Sequence, residues 1–151
     1  MMDEITTVQV RKSTAENLKQ LGGTYDDAIR KVMRVPPISK TLTLRKTVPA
    51  LTHVYEDIRV PVDGIITNVF MHFPPGANAL VDVRLLYRVD GHEYYVVPSI
   101  DDKFIALDDF TPSFPTSFPV EEGKVLRGDW WNYDSANPHT IPIIVTIMSG
   151  L

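Results

Sequence analysis

The sequence predicts an α+β chain in two parts: a small N-terminal module of one strand and two helices, then an all-β antiparallel, jelly-roll-like sandwich. One observation is that apolar residues change from helical to strand spacing at Pro36-Pro37. The other is charge: residues 1–46 carry nine basic against five acidic side chains (+4), whereas residues 47–151 carry six against fourteen (−8). We therefore expect a module over residues 1–35, a linker over 36–40 and a sandwich over 41–151.

The composition excludes several classes of protein. A hydrophobic share of 44% with 23% charged residues is ordinary for a globular chain that buries a core. The absence of cysteine excludes disulfides, a thiol nucleophile and cysteine-ligated metals. The first residues, Met1-Met2-Asp3-Glu4, are acidic where a signal peptide is basic, and no apolar run is long enough to span a bilayer. We expect a soluble cytoplasmic protein with no membrane partner.

Residues 6–12 alternate between apolar and polar side chains, which predicts a half-buried strand. One face of this strand holds Val8 and Val10, and the other holds Thr7, Gln9 and Arg11. The strand therefore has one side that can pack and one side that can make hydrogen bonds.

Two capped helices are predicted after this strand. Ser13 and Glu16 form a capping box for the first helix, and Gly22-Gly23 ends it. Thr24 caps the second helix, which closes before Pro36-Pro37. The apolar stripe of the second helix consists of Tyr25, Ala28, Ile29, Val32 and Met33.

This order of strand, capped helix, glycine turn and capped helix, over residues 5–34, resembles the ribbon-helix-helix family, particularly its short antitoxin-like members. So few residues cannot bury enough apolar surface alone, so we expect a homodimer or a higher homo-oligomer. The dimerisation residues are expected to be Val8, Val10, Leu18, Ile29 and Val32.

The resemblance implies that two such strands pair and enter the major groove of double-stranded DNA. Thr7, Gln9 and Arg11 would then face base edges, where Gln suits adenine and Arg suits guanine. Backbone amides at Thr24 and Tyr25 would hold a phosphate, although the adjacent acidic pair Asp26-Asp27 weakens that site. The alternative is a module that only joins subunits.

The remainder of the chain reads as seven or eight short strands separated by Pro, Gly and Asp. The predicted strands cover residues 41–48, 53–60, 65–73, 80–89, 93–97, 125–133 and 140–148. Asp63-Gly64 and Asp90-Gly91 carry the signal of tight hairpins. Residues 111–119 contain three prolines and are expected to form a stiff loop, whose Phe114 and Phe118 pack between subunits.

No catalytic, metal or cofactor site is expected. The four histidines are widely spaced, the acidic pairs lack the pattern of a calcium loop, and no serine lies in a nucleophile motif. Trp130, Trp131 and Tyr133 form an aromatic cluster that could stack on a sugar or pack in the core or between subunits. Consecutive strand positions place one of the two tryptophans outward.

The leading functional hypothesis is a non-enzymatic, homo-oligomeric DNA-binding protein, a transcriptional regulator with a sandwich for assembly or effector sensing. The second is a self-assembling structural protein that forms a ring, shell or filament. The third is a carbohydrate-binding module, which depends on the aromatic cluster alone.

Replacing Gln9 and Arg11 together by Ala tests the first hypothesis. We expect unchanged folding and loss of sequence preference, at about 1–3 kcal/mol for each base contact removed. Binding of the natural protein to a mixed DNA pool should also weaken steeply with salt. Absence of salt-dependent binding at low ionic strength would contradict the hypothesis.

Overall fold

A computed structural model describes residues 37–150 of the chain. The predicted N-terminal module, with its DNA-binding and dimerisation residues, lies outside the described residues. Those residues are Thr7, Val8, Gln9, Val10, Arg11, Leu18, Thr24, Tyr25, Ile29 and Val32.

Residues 37–150 form ten strands, eight of which make up two main four-stranded sheets. The strands are β1 Ile38–Leu44, β2 Thr47–Val48, β3 His53–Arg59, β4 Gly64–Met71, β5 Val81–Val89, β6 His92–Val97, β7 Ser113–Val120, β8 Val125–Asn132, β9 His139–Thr140 and β10 Ile143–Ser149. The first sheet has the order β1-β10-β4-β7 and the second the order β3-β8-β5-β6, while β2 and β9 pair separately. All of the pairings are antiparallel.

The two main sheets face each other across one apolar core. Alternate residues of β4 and β10 point into it from the first sheet, and alternate residues of β5 and β8 point into it from the second. The largest fully buried side chains include Trp130, Phe73, Leu44, Ile66 and Met71. The described residues therefore form a β-sandwich with a single core.

The predicted α+β class is wrong for the described chain, because residues 37–150 contain no helix and are all-β. The physical reason is that β-branched and aromatic residues recur with period two throughout this part of the chain. The first strand also begins earlier than expected. Ile38 pairs with Ser149 at the start of β1, inside the stretch predicted to be a linker.

One predicted hairpin is confirmed and the other is wrong. Asp90 and Gly91 both have positive φ and join β5 directly to β6, as the Asp-Gly signal indicates. Asp63-Gly64 instead lies on a crossover between sheets, since β3 pairs with β8 and β4 pairs with β10 and β7. Asp63 accepts a hydrogen bond from the backbone N–H of Glu122 at 2.7 Å, which fixes this crossover.

The predicted stiff loop is largely an edge strand, β7. Proline is tolerated on an edge strand because one side of that strand needs no backbone donor, and the same prolines discourage pairing with another chain. Phe114 and Phe118 pack against the core of their own sandwich. Both rings stay partly exposed, and their packing between subunits stays a prediction.

Trp130 on β8 is the largest fully buried side chain in the described core. Its indole N–H donates a hydrogen bond to the carbonyl of Ile141 at 2.8 Å. A Cβ placed at Gly128 would lie 2.6 Å from Cη2 of the indole, so the ring covers the glycine backbone directly. Glycine is therefore required at this position for steric reasons.

Gly128→Ala should reduce the free energy of unfolding by about 1–3 kcal/mol, because the added methyl group displaces the Trp130 ring. Denaturant unfolding measures this loss. In a Trp130→Phe background, which removes the outer ring atoms, the same substitution should be less destabilising. Equal losses in the two backgrounds would contradict this steric explanation.

Candidate functional site

The outer face of the second sheet carries a mixture of aromatic and charged side chains. It is defined here as the side of β3, β8 and β5 that points away from the core. Strand register places these side chains in four rows: His53, Trp131 and Asp82; Tyr55, Asp129 and Arg84; Asp57, Arg127 and Leu86; Arg59, Val125 and Arg88. Three neighbouring strands thus bring together residues from three distant parts of the sequence.

Three rings on this face have nearly parallel planes. His53 stacks on Trp131 with ring centroids 4.1 Å apart and planes at 14°. Tyr133 follows Trp131 at 6.5 Å with planes at 13°. Trp131 is 39% exposed and Tyr133 is 56% exposed, so the two rings form an accessible aromatic platform. Exposed parallel rings at fixed spacing can stack against a flat ligand.

A buried carboxylate positions the stacked histidine. Asp129 is buried on the outer face, where it pairs with Nε2 of His53 and accepts a hydrogen bond from Nε of Arg84 at 2.9 Å. The guanidinium of Arg84 also lies 4.5 Å from the ring centroid of Phe104. A buried charge is retained when it is paired in this way, so Asp129 has a positioning role.

Asp82 lies beside the aromatic platform without a partner. It is directly opposite Trp131 on β5, and it makes no hydrogen bond or ion pair with any residue in the part of the chain that the structure describes. Partial burial raises the pKa of this carboxyl above its ordinary value. Asp82 is therefore an available hydrogen-bond acceptor at the platform.

The row of Asp57 and Arg127 on the outer face is already satisfied internally. Arg127 donates two hydrogen bonds to Asp57, at 2.7 and 2.9 Å, and covers the Tyr55 ring at 3.8 Å. The hydrogen bonds from Arg127 lower the pKa of Asp57 despite an opposing effect of burial. Asp57 and Arg127 therefore have few free hydrogen-bonding groups for a ligand, in contrast to Asp82 at the platform.

The turn after β8 holds Tyr133 in place. The Tyr133 N–H donates to the carbonyl of Leu80 at 2.8 Å. Asp134 accepts hydrogen bonds from the backbone of Ala136 and Asn137 and pairs with His139 at 2.8 Å. These bonds, chiefly the one from Ala136 and then that from His139, lower the pKa of Asp134 to about 2. An ionised Asp134 thus closes the turn.

Two clefts open elsewhere, where the edge strands β6 and β7 border the gap between the sheets. One has a volume of 380 Å³ and is lined mainly by apolar residues, including Tyr94 and Phe118. The hydroxyl of Tyr87 in this cleft already accepts the N–H of Glu121 at 2.9 Å. The second cleft, of 260 Å³, is lined by Val97, Ile100 and their neighbours. Neither cleft gathers polar groups as the platform does.

Two structural findings bear on other classes of site. Within residues 37–150, no group of three or more histidine and acidic side chains is close enough to hold a metal ion. The described residues also contain no helix that is long and apolar enough to cross a membrane.

The sequence predicted the aromatic residues of the platform but not the charged residues around them. Consecutive strand positions predicted one outward tryptophan; the structure shows that it is Trp131, while Trp130 is fully buried and Tyr133 is exposed. His53, Asp82, Arg84 and Asp129 were not identified as site residues. Each occupies an outward position of a predicted strand, so the alternation pattern could have indicated that these side chains lie on the surface. Only the register between strands shows that they lie next to one another.

No protein-family model and no curated protein matches the chain. Among solved structures, FlhE is similar at 16% identity over 72% of this chain and 96% of that chain, with a TM-score of 0.38. A protein of Bacillus endospore appendages, described as disulfide-linked pili, is similar at 14% identity over 77% and 91%, with a TM-score of 0.39. A serine protease of Aeromonas sobria is similar at 7% identity over 83% of this chain and 30% of its own, with a TM-score of 0.43. At these values the similarities carry no argument about function.

Asp134→Ala should destabilise the sandwich at neutral pH, because the turn loses its acceptors. The folded pKa of about 2 lies below the ordinary value of 3.8, so this carboxylate stabilises the fold fully above about pH 4 and loses its contribution as the pH falls toward 2. The stability difference between natural and variant proteins should therefore shrink over that window. Denaturant unfolding at several pH values measures it, with the exposed Asp101→Asn as control; a pH-independent difference would contradict the proposed role.

Proposed function

We propose that the sandwich binds carbohydrate, without catalysis, through the outer face of its second sheet. The observation that carries this proposal is the aromatic platform of Trp131 and Tyr133 with a carboxylate beside it, Asp82, that has no partner among residues 37–150. A pyranose ring has an apolar face of C–H groups and an edge of hydroxyl groups. It therefore needs a ring to stack on and polar groups at its side, and the outer face offers both.

The contacts around the platform favour a rigid recognition surface. His53 covers one face of the Trp131 indole from β3, while Asp82 lies on the other side, on β5. His53 thus supports one face of the Trp131 ring, and Asp82 lies on the strand at the other side of β8. A platform held in its binding geometry loses little conformational entropy when a ligand arrives.

The strand order supports a binding role of this class. Two four-stranded sheets in the orders β1-β10-β4-β7 and β3-β8-β5-β6 have the arrangement of a jelly roll, which lectin domains and viral capsid proteins share. A shared fold does not distinguish a ligand-binding protein from an assembly protein. The choice depends on the platform, because an assembly role would require no unpartnered acceptor next to two exposed rings.

Charge argues against single-stranded nucleic acid as the ligand of the platform. Aromatic stacking surfaces for nucleic acid are combined with basic grooves. Residues 47–151 instead carry a net charge of −8, and Arg84 and Arg127 are both engaged by carboxylates on the outer face. A neutral or cationic ligand is therefore favoured.

DNA binding by the N-terminal segment is a separate proposal, supported by its charge of +4 and by the pattern of residues 5–34. It concerns residues outside the described chain, and the Gln9 and Arg11 substitutions test it. We also propose that the chain self-associates through this segment, because its apolar stripe needs an equivalent surface from a second chain. Neither proposal depends on the platform.

Trp131→Ala tests the carbohydrate proposal. We expect binding to oligosaccharides, first identified on a glycan array and then measured by calorimetry, to weaken about tenfold or more, which corresponds to about 1.4 kcal/mol. Tyr133→Ala should have a smaller effect in the same direction, because its ring extends the platform.

The matched control is Tyr94→Ala, which removes another exposed aromatic ring from β6, away from the platform. It should leave oligosaccharide binding unchanged. Thermal unfolding confirms that each variant is folded. If no glycan binds, or if Tyr94→Ala weakens binding as much as Trp131→Ala does, the proposal fails.

A further inference from the structure

The charges on the outer face do not balance beside the platform. Asp129 is paired with Arg84 and His53, and Asp57 is paired with Arg127. Asp82 is the remaining carboxylate of the four rows, and no described residue forms an ion pair with it. The surface next to Trp131 therefore presents one uncompensated negative charge.

The surroundings of Asp82 favour a cation from outside the protein. Burial raises the pKa of its carboxyl, and no side chain among residues 37–150 donates a hydrogen bond to it or pairs with it. A cation placed there would gain from an ion pair in a partly desolvated position and from the π face of Trp131. The acidic character of the sandwich adds a weaker, longer-range attraction for positive charge.

Building on the carbohydrate-binding function proposed above, we propose that the ligand is an amino sugar with a free amine. Its protonated amino group pairs with Asp82 while its ring stacks on Trp131. A neutral sugar could use the platform, but it would give Asp82 only a hydroxyl donor. A uronic acid would place like charges together, and acetylation of the amine would remove the positive charge.

The test compares three oligosaccharides of equal length and the same linkage: oligomers of glucosamine, of N-acetylglucosamine and of glucose. The full-length protein is titrated with each at mildly acidic pH, where the amine is protonated. We expect the glucosamine oligomer to bind about tenfold more tightly than the other two. This preference should weaken with added salt, because an ion pair near the surface is screened.

Asp82→Asn is the decisive variant, since it keeps the shape of the side chain and removes its charge. It should abolish the preference for glucosamine and leave binding of the neutral oligomers within about twofold. Asp101→Asn is the matched control, because it removes one charge from an exposed turn of the same acidic sandwich. That control should keep the full preference.

The outcomes separate this inference from the proposed function. If all three oligomers bind equally and Trp131→Ala weakens each of them, carbohydrate binding stands and the amino-sugar inference is wrong. If none of them, nor any other glycan, binds, both fail. A tetramethylammonium salt serves as competitor: if it binds as tightly as the glucosamine oligomer and depends equally on Asp82, the site recognises a cation without a sugar, which also overturns the inference.

Discussion

Burial of Trp130 is the constraint on which the outer face depends. An indole placed in an apolar core needs a partner for its N–H and enough space for its ring, and these come from the Ile141 carbonyl and from the missing side chain of Gly128. Together they fix the orientation of β8 in the second sheet. Because side chains alternate along a strand, an inward Trp130 requires an outward Trp131. The exposed ring of the platform is thus a direct consequence of how the core is packed.

A second constraint lies in the polar layer above that strand. Asp129 is buried although it points away from the core, and it is paired with His53 from β3 and Arg84 from β5. These pairs join three strands on their outer side, as hydrogen bonds do within the sheet. His53 then supports one face of Trp131. Removal of Asp129 would therefore disturb the platform indirectly, by releasing the ring that stacks behind it, without removing a ligand contact.

Local sequence signals predicted most strands of the sandwich, but they could not predict how the strands meet. Period-two alternation predicted β3, β5 and β8 and placed one of the two tryptophans outward, which the structure shows to be Trp131. The juxtaposition of His53, Trp131 and Asp82 required the register between strands far apart in sequence, which no local pattern contains. The edge strand β7 was missed for a related reason. Its prolines are unfavourable in a central strand, and only the position at the sheet edge makes them acceptable.

The two binding proposals for this chain require opposite charge, and the sequence separates the charges accordingly. A surface that binds a duplex must be basic, whereas a carboxylate that selects an amine works best where cations are scarce. The described sandwich engages Arg84 and Arg127 with carboxylates and leaves Asp82 unpaired, so the two rows next to Asp82 offer no free arginine to hold phosphate, and Arg59 lies farther along the face. A polyanion is therefore disfavoured at the platform for the same reason that an ammonium group is favoured. The aromatic rings alone would accept any flat ligand. The selectivity of the platform therefore depends mainly on which charged side chains around it already have partners.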